Sequence, residues 1–176
     1  PVHRISDAAW VNRRAEEFGW LPDNATLWYL SEESGYAHLY TKTGAAPARA
    51  LTSGQWEVSA VEWSRDGKSA YFMCNRQAPG TYEVCASTAS DGGAREITQL
   101  KGVENFGLSP DNGKLLLRYS TSYMPAQLAT VSVAGGKANI LTDTRSEAFK
   151  ARNWVMPELV QVPSTHGAAP IWAKLY

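Results

Sequence analysis

Apolar and polar positions alternate with a period of two through much of this 176-residue chain, and the alternating stretches are short and evenly spaced. Period-two alternation marks strands with one face toward a core. It predicts strands over residues 26–30, 37–41 and 48–52, then over 57–63, 69–75, 81–87 and 94–98, and again over 103–108, 114–120, 127–133 and 138–142. The middle set is organised around Trp63-Ser64-Arg65-Asp66-Gly67-Lys68-Ser69-Ala70-Tyr71-Phe72, in which an aromatic ends one strand, Asp66-Gly67 turns the chain, and an apolar strand resumes. Asp-Gly predicts a two-residue type I′ hairpin turn, because Gly takes the required positive φ without strain.

The same phrase recurs at Trp20-Leu21-Pro22-Asp23-Asn24 and at Leu108-Ser109-Pro110-Asp111-Asn112, with turn aspartates 43 and 45 residues apart. A second marker keeps the same beat: Leu51-Thr52, Ile97-Thr98 and Leu141-Thr142 close successive units at spacings of 46 and 44. Units of this length built from strands and turns are β-propeller blades of four strands each. The expected fold is therefore all-β, an incomplete propeller of about three four-stranded blades. The expected divisions are a connector at 1–19, blades at about 20–52, 53–98 and 99–142, and a propeller exit at 143–176. Within that exit a short helix is predicted near 144–151, followed by a hairpin of residues 158–163 and 171–176 lying outside the blade period. Three blades do not close a ring of 4–8, so the terminal sheets are expected to leave apolar faces bare.

Composition narrows the functional classes. Seventeen basic and seventeen acidic residues give zero net charge, and their scatter offers no nucleic-acid surface. No apolar run reaches the ~20 residues of a membrane helix, and none has the layout of a signal peptide. Cys74 and Cys85 fall in adjacent predicted strands, either as two half-buried thiols or as a cross-strand disulfide, which would point to an oxidising compartment.

Catalytic signatures are missing from the letters. There is no Gly-x-Ser-x-Gly elbow, Cys-x-x-Cys, His-Glu-x-x-His, phosphate-binding glycine loop or calcium loop. No catalytic residue, cofactor or metal ligand is expected. His3, His38 and His166 are far apart, and His38 reads as a surface or inter-strand residue. The pairs Glu16-Glu17 and Glu32-Glu33 read as solvated rather than as ammonium clamps. Arg13 and Arg14 are the candidate substrate-binding residues, since a guanidinium fork suits a carboxylate or carbonyl. Trp28, Trp63 and Tyr71, at alternating strand positions, read as packing between blades.

The run Leu30-Ser31-Glu32-Glu33-Ser34-Gly35-Tyr36-Ala37-His38-Leu39-Tyr40, followed by Gly54-Gln55-Trp56-Glu57-Val58, resembles the N-terminal β-propeller of the dipeptidyl peptidase IV-like members of the prolyl oligopeptidase superfamily, with bacterial relatives foremost. The likeness extends to Val155-Met156-Pro157 and the hairpin after it, which look like the crossing to an α/β-hydrolase domain. The resemblance implies a parent serine exopeptidase, with its Ser-Asp-His triad in a hydrolase domain beyond Tyr176 and a propeller that gates and orients short peptides. It also implies periplasmic or secreted placement and a homodimeric parent. Residues 10–14 match a stretch that approaches the family's substrate cavity, although Arg14-Ala15 departs from the family's aromatic-then-arginine pattern. The double-glutamate motif of the family lies in an earlier segment, so Glu32-Glu33 does not inherit its role. The rival reading is a protein-binding scaffold propeller of the periplasmic Tol type.

Overall fold

The computed structural model describes residues 4–12, 16–167 and 169–176. Three four-stranded antiparallel sheets follow one another along the chain, each a meander in which sequence neighbours pair. The first contains β1 (Phe18–Trp20), β2 (Thr26–Ser31), β3 (His38–Thr43) and β4 (Arg49–Ala50). The second contains β5 (Val58–Trp63), β6 (Ser69–Ala78), β7 (Thr81–Thr88) and β8 (Gly92–Glu96). The third contains β9 (Val103–Leu108), β10 (Lys114–Thr121), β11 (Met124–Ser132) and β12 (Asn139–Ile140). A one-turn helix, α1 (Glu147–Lys150), is capped by the Ser146 hydroxyl, and a separate hairpin pairs β13 (Glu158–Val162) with β14 (Ile171–Leu175). The chain is all-β, an incomplete propeller with no closed ring.

Alternation along the strands decides which neighbour each side chain meets. In β6, Ala70, Phe72 and Cys74 turn toward the first sheet and join Leu30, Leu39, Leu51, Trp56 and Val58 in one core cluster. Their neighbours Tyr71 and Met73 turn the other way and join Leu115, Leu117, Tyr119, Ala129 and Val131 of the third sheet. The middle sheet is therefore buried on both faces. Trp28 and Trp63 pack against the first cluster, while Tyr71 belongs to the second.

The turns differ from the expected type. Leu21 N–H donates to the Thr26 carbonyl (2.9 Å) and Asn24 N–H to the Leu21 carbonyl (3.1 Å), which encloses four residues rather than two. The pattern repeats at Ser64/Ser69 with Gly67/Ser64, and at Ser109/Lys114 with Asn112/Ser109. Only the residue after each aspartate is left-handed: Asn24 at φ 54°, Gly67 at 68° and Asn112 at 58°. A type I′ turn needs positive φ at both central residues. Here the aspartate is not left-handed, and its carboxylate accepts a backbone N–H two residues on, from Ala25, Lys68 and Gly113 in turn. That side-chain bond makes the longer loop self-satisfied.

The two cysteines, both fully buried, are joined as a disulfide across β6 and β7. They lie inside the contact between the first and second sheets.

Candidate functional site

The three aspartate turns gather at one end of the stacked sheets. The Gly67 backbone lies close against Pro22 of the preceding turn, and Arg65 N–H donates to the Asn112 side chain of the following one (3.4 Å). The opposite end carries the β2–β3, β6–β7 and β10–β11 turns, and both grooves described below open there.

A buried polar latch, repeated in every sheet, supports that end. Thr52, Thr98 and Thr142 each accept a strand N–H with their hydroxyl oxygen, from Leu39, Val84 and Leu128 at 2.8–2.9 Å. Each hydroxyl also meets the residue just before that strand N–H: the His38 ring Nδ1 (3.0 Å), the Glu83 carboxylate (2.5 Å) and the Gln127 amide oxygen (2.8 Å). The same three side chains reach the segment leaving the sheet. The His38 Nε2 lies 3.0 Å from the Gly54 carbonyl, Glu83 accepts from the N–H groups of Leu100 and Lys101, and Gln127 accepts from Thr144 N–H (3.1 Å). All three are at least 97% buried. Each is partnered, as a buried polar group must be.

Further polar contacts tie each sheet to the next. The Arg49 guanidinium donates to the Ala89 and Ser90 carbonyls, and Arg95 repeats the contact on Val133 and Ala134. The Glu17 carboxylate accepts from Val61 N–H (3.3 Å), and Glu62 accepts from Leu108 N–H (3.0 Å). Glu17 is thus an inter-sheet acceptor and not simply a solvated charge.

The first groove, of about 420 Å3, lies where residues 4–12 pass the β2–β3 turn. Asp7 holds the approach by accepting from Ala9 and Trp10 N–H, bonds that keep its carboxyl below the usual range. Asn12 donates to Glu32 across the groove (3.0 Å), while Trp10 is left largely exposed. Beneath Glu33, burial pushes the Tyr29 hydroxyl up to about 12, with the Glu33 carboxylate and then Tyr40 adding to the shift.

The second groove, about 1030 Å3, runs between the ends of the second and third sheets and the β13–β14 hairpin. Trp154 anchors the chain entering that hairpin. It stacks on Tyr123 of the β10–β11 turn (4.7 Å) and on Phe149 of α1 (4.6 Å), and its indole N–H donates to the Phe149 carbonyl. Asp143, held far below the carboxylate range chiefly by Arg145, also pairs with Lys150 (3.3 Å) and braces the same segment. Two left-handed residues that are not glycine line this groove. Ala60 (φ 51°) sits at a bulge in β5, and Lys101 (φ 58°) enters β9.

Arg13 and Arg14, the candidates read from the sequence, lie outside the described residues, as does His3. His38 is an inter-strand residue and fully buried. Glu32 and Glu33 border the first groove. Sequence reasoning missed Glu83, Gln127, Ala60, Lys101 and Trp172. The first two had a signal available, since each precedes its closing threonine by 15 residues, one more than the 14 that separate His38 from Thr52.

Three consecutive four-stranded meanders, stacked face to face with a common turn at one end, define a protein of the β-propeller class. Residues 1–126 match the family model described as the dipeptidyl peptidase IV (DPP IV) N-terminal region. The chain belongs to that family. It is similar in fold to the crystal structure of Porphyromonas gingivalis dipeptidyl peptidase 4, with a TM-score of 0.68 and 22% sequence identity over 84% of this chain. The match covers 22% of that longer chain.

Proposed function

We propose that this chain is the propeller portion of a serine exopeptidase of the dipeptidyl peptidase IV type. In this reading it serves as a wall that admits short peptides to the catalytic domain, orients them and excludes folded chains. The observation that carries the reading is the family match over residues 1–126, taken with two grooves that open at one end of the sheets. The β13–β14 hairpin at that end is the segment that would lead into an α/β-hydrolase domain. The chain's part is steric and orienting. Bond cleavage belongs to a nucleophile outside these residues, and Arg13 and Arg14 are the substrate contacts proposed from the sequence. The buried disulfide favours a periplasmic or secreted setting, because oxidising compartments preserve such bonds.

The test is the coding sequence downstream of Tyr176. The proposal expects a Gly-x-Ser-x-Gly strand-to-helix turn followed in order by an acidic residue and a histidine, and further blades without such a turn would refute it. A companion assay of the 176-residue chain on a chromogenic Xaa-Pro dipeptide should give no turnover. Turnover that survives serine-directed inhibitors would overturn the division of labour.

A further inference from the structure

The second groove has a charge imbalance that the propeller fold does not require. Lys101 and Lys174 both line it, both are exposed, and among the described residues neither ammonium takes part in an ion pair or a hydrogen bond. Its one acidic lining residue, Glu104, is already engaged, paired with Arg118 at 3.0 Å and accepting from the Ser120 hydroxyl. Trp172, Met156 and Leu159 present apolar surface along the hairpin wall.

The wall is also set in place from within. Lys101 is held in a left-handed conformation, which is strained for a residue with a β-carbon and persists only where its surroundings enforce it. The enforcing group is the buried Glu83 carboxylate, which accepts the N–H of both Leu100 and Lys101. A second left-handed residue, Ala60, faces the same groove from the neighbouring sheet. Strain in both walls, an apolar flank and two unpaired ammonium groups form a site complementary to an anionic chain.

We propose that this groove binds an extended acidic peptide segment, whose carboxylates pair with Lys101 and Lys174 while its apolar side chains lie on Trp172, Met156 and Leu159. The inference rests on the peptide-handling reading above and adds to it a preference for acidic peptides. Glu83 acts as a positioning residue, since it reaches the ligand only through the backbone of Lys101.

The experiment titrates the 15N-labelled chain with an acetylated hexapeptide alternating Asp and Leu, and in parallel with its Asn–Leu counterpart. Expected are amide shifts at Lys101, Gly102 and Lys174, a shift of the Trp172 indole, and affinity that falls as salt rises. The Asn–Leu peptide should bind at least tenfold more weakly. The K101Q/K174Q variant should lose the difference between the two peptides, and K101E/K174E should reverse it in favour of a Lys–Leu peptide. An unchanged spectrum away from the groove certifies that each variant is folded. Equal affinity for the Asp and Asn peptides would overturn the charge preference while leaving peptide binding standing. Shifts confined to the first groove, or none at millimolar peptide, would overturn the site. The serine-peptidase reading is decided separately, by the nucleophile in the longer coding sequence.

Discussion

Two positions show how narrowly single residues are constrained. A β-carbon on Gly102 would overlap the Ser120 carbonyl oxygen, a backbone atom that cannot swing away. That carbonyl belongs to a strand already bonded to this segment, because Ser120 N–H donates to the Gly102 carbonyl at 2.9 Å. Gly102→Ala should therefore push β9 off β10 and cost about 1–3 kcal/mol, the usual range for overpacking, read as a lowered urea midpoint. The turn aspartates predict a pH effect. Thr26, Ser64 and Ser109 hydroxyls, then backbone N–H groups, hold Asp23, Asp66 and Asp111 below their ordinary value of 3.8. A carboxyl with a depressed folded-state pKa stabilises fully above its unfolded value, and that contribution fades as pH falls through the folded one. Urea midpoints should thus be flat from neutrality to about pH 4 and fall below it. Replacing all three by Asn should lower the neutral plateau and flatten the acid limb. An acid limb of unchanged steepness would assign the loss to other carboxylates.

At the scale of elements, the disulfide gives the sharpest expectation. Cys74 and Cys85 are 11 residues apart and link β6 to β7 at a fully buried site. Closing so short a loop in the unfolded chain contributes about 3 kcal/mol in the chain-entropy account. Cys74→Ala/Cys85→Ala removes that constraint and leaves two small voids where the first and second sheets meet. The thermal midpoint should drop by several degrees, and native-state hydrogen exchange should quicken first in β6 and β7. Exchange that quickens uniformly would mean the bond acts on the whole stack. The same scale explains what could be read in advance. Aspartate turns and closing threonines recur as letters, so the period was legible. The latch partners are His38, Glu83 and Gln127, one role filled by three chemistries, and no repeat in residue type reveals them. The turn type was misread because Asp-Gly specifies a left-handed residue after the aspartate but not the loop length, which the carboxylate's own backbone bonds decide. The second groove was not legible, since it joins residues from β5, β9, the β10–β11 turn and a hairpin, as far apart in the chain as Ser59 and Lys174.

For the whole molecule, the two ends of the stack are unlike its middle. Phe18 and Trp20 are 65% and 59% exposed on the first sheet, and Leu116, Leu128 and Ile140 are 40–49% exposed on the third. Register places Phe18 beside Tyr29 and Trp20 beside Leu27, on the face turned away from the second sheet. In the third sheet Leu115 and Leu117 pack inward, so alternation sends Leu116 to the far face. The inter-sheet tie stops there as well: Asn139 occupies the β12 position that corresponds to Arg49 and Arg95. Contiguous apolar sheet faces of this kind drive association in water. Sedimentation velocity on the 176-residue chain should show mass rising with concentration. If the two faces meet each other, Leu116→Lys/Leu128→Glu and Trp20→Lys should each limit growth to dimers, formed only when the two variants are mixed. If each face pairs with itself, each variant alone should still dimerise through its untouched face, and mixing should add nothing. A chain that stays monomeric up to hundreds of micromolar would show that these faces are too small or too interrupted by Arg118 and Thr130 to hold a partner, and the bare-face expectation would fail with it.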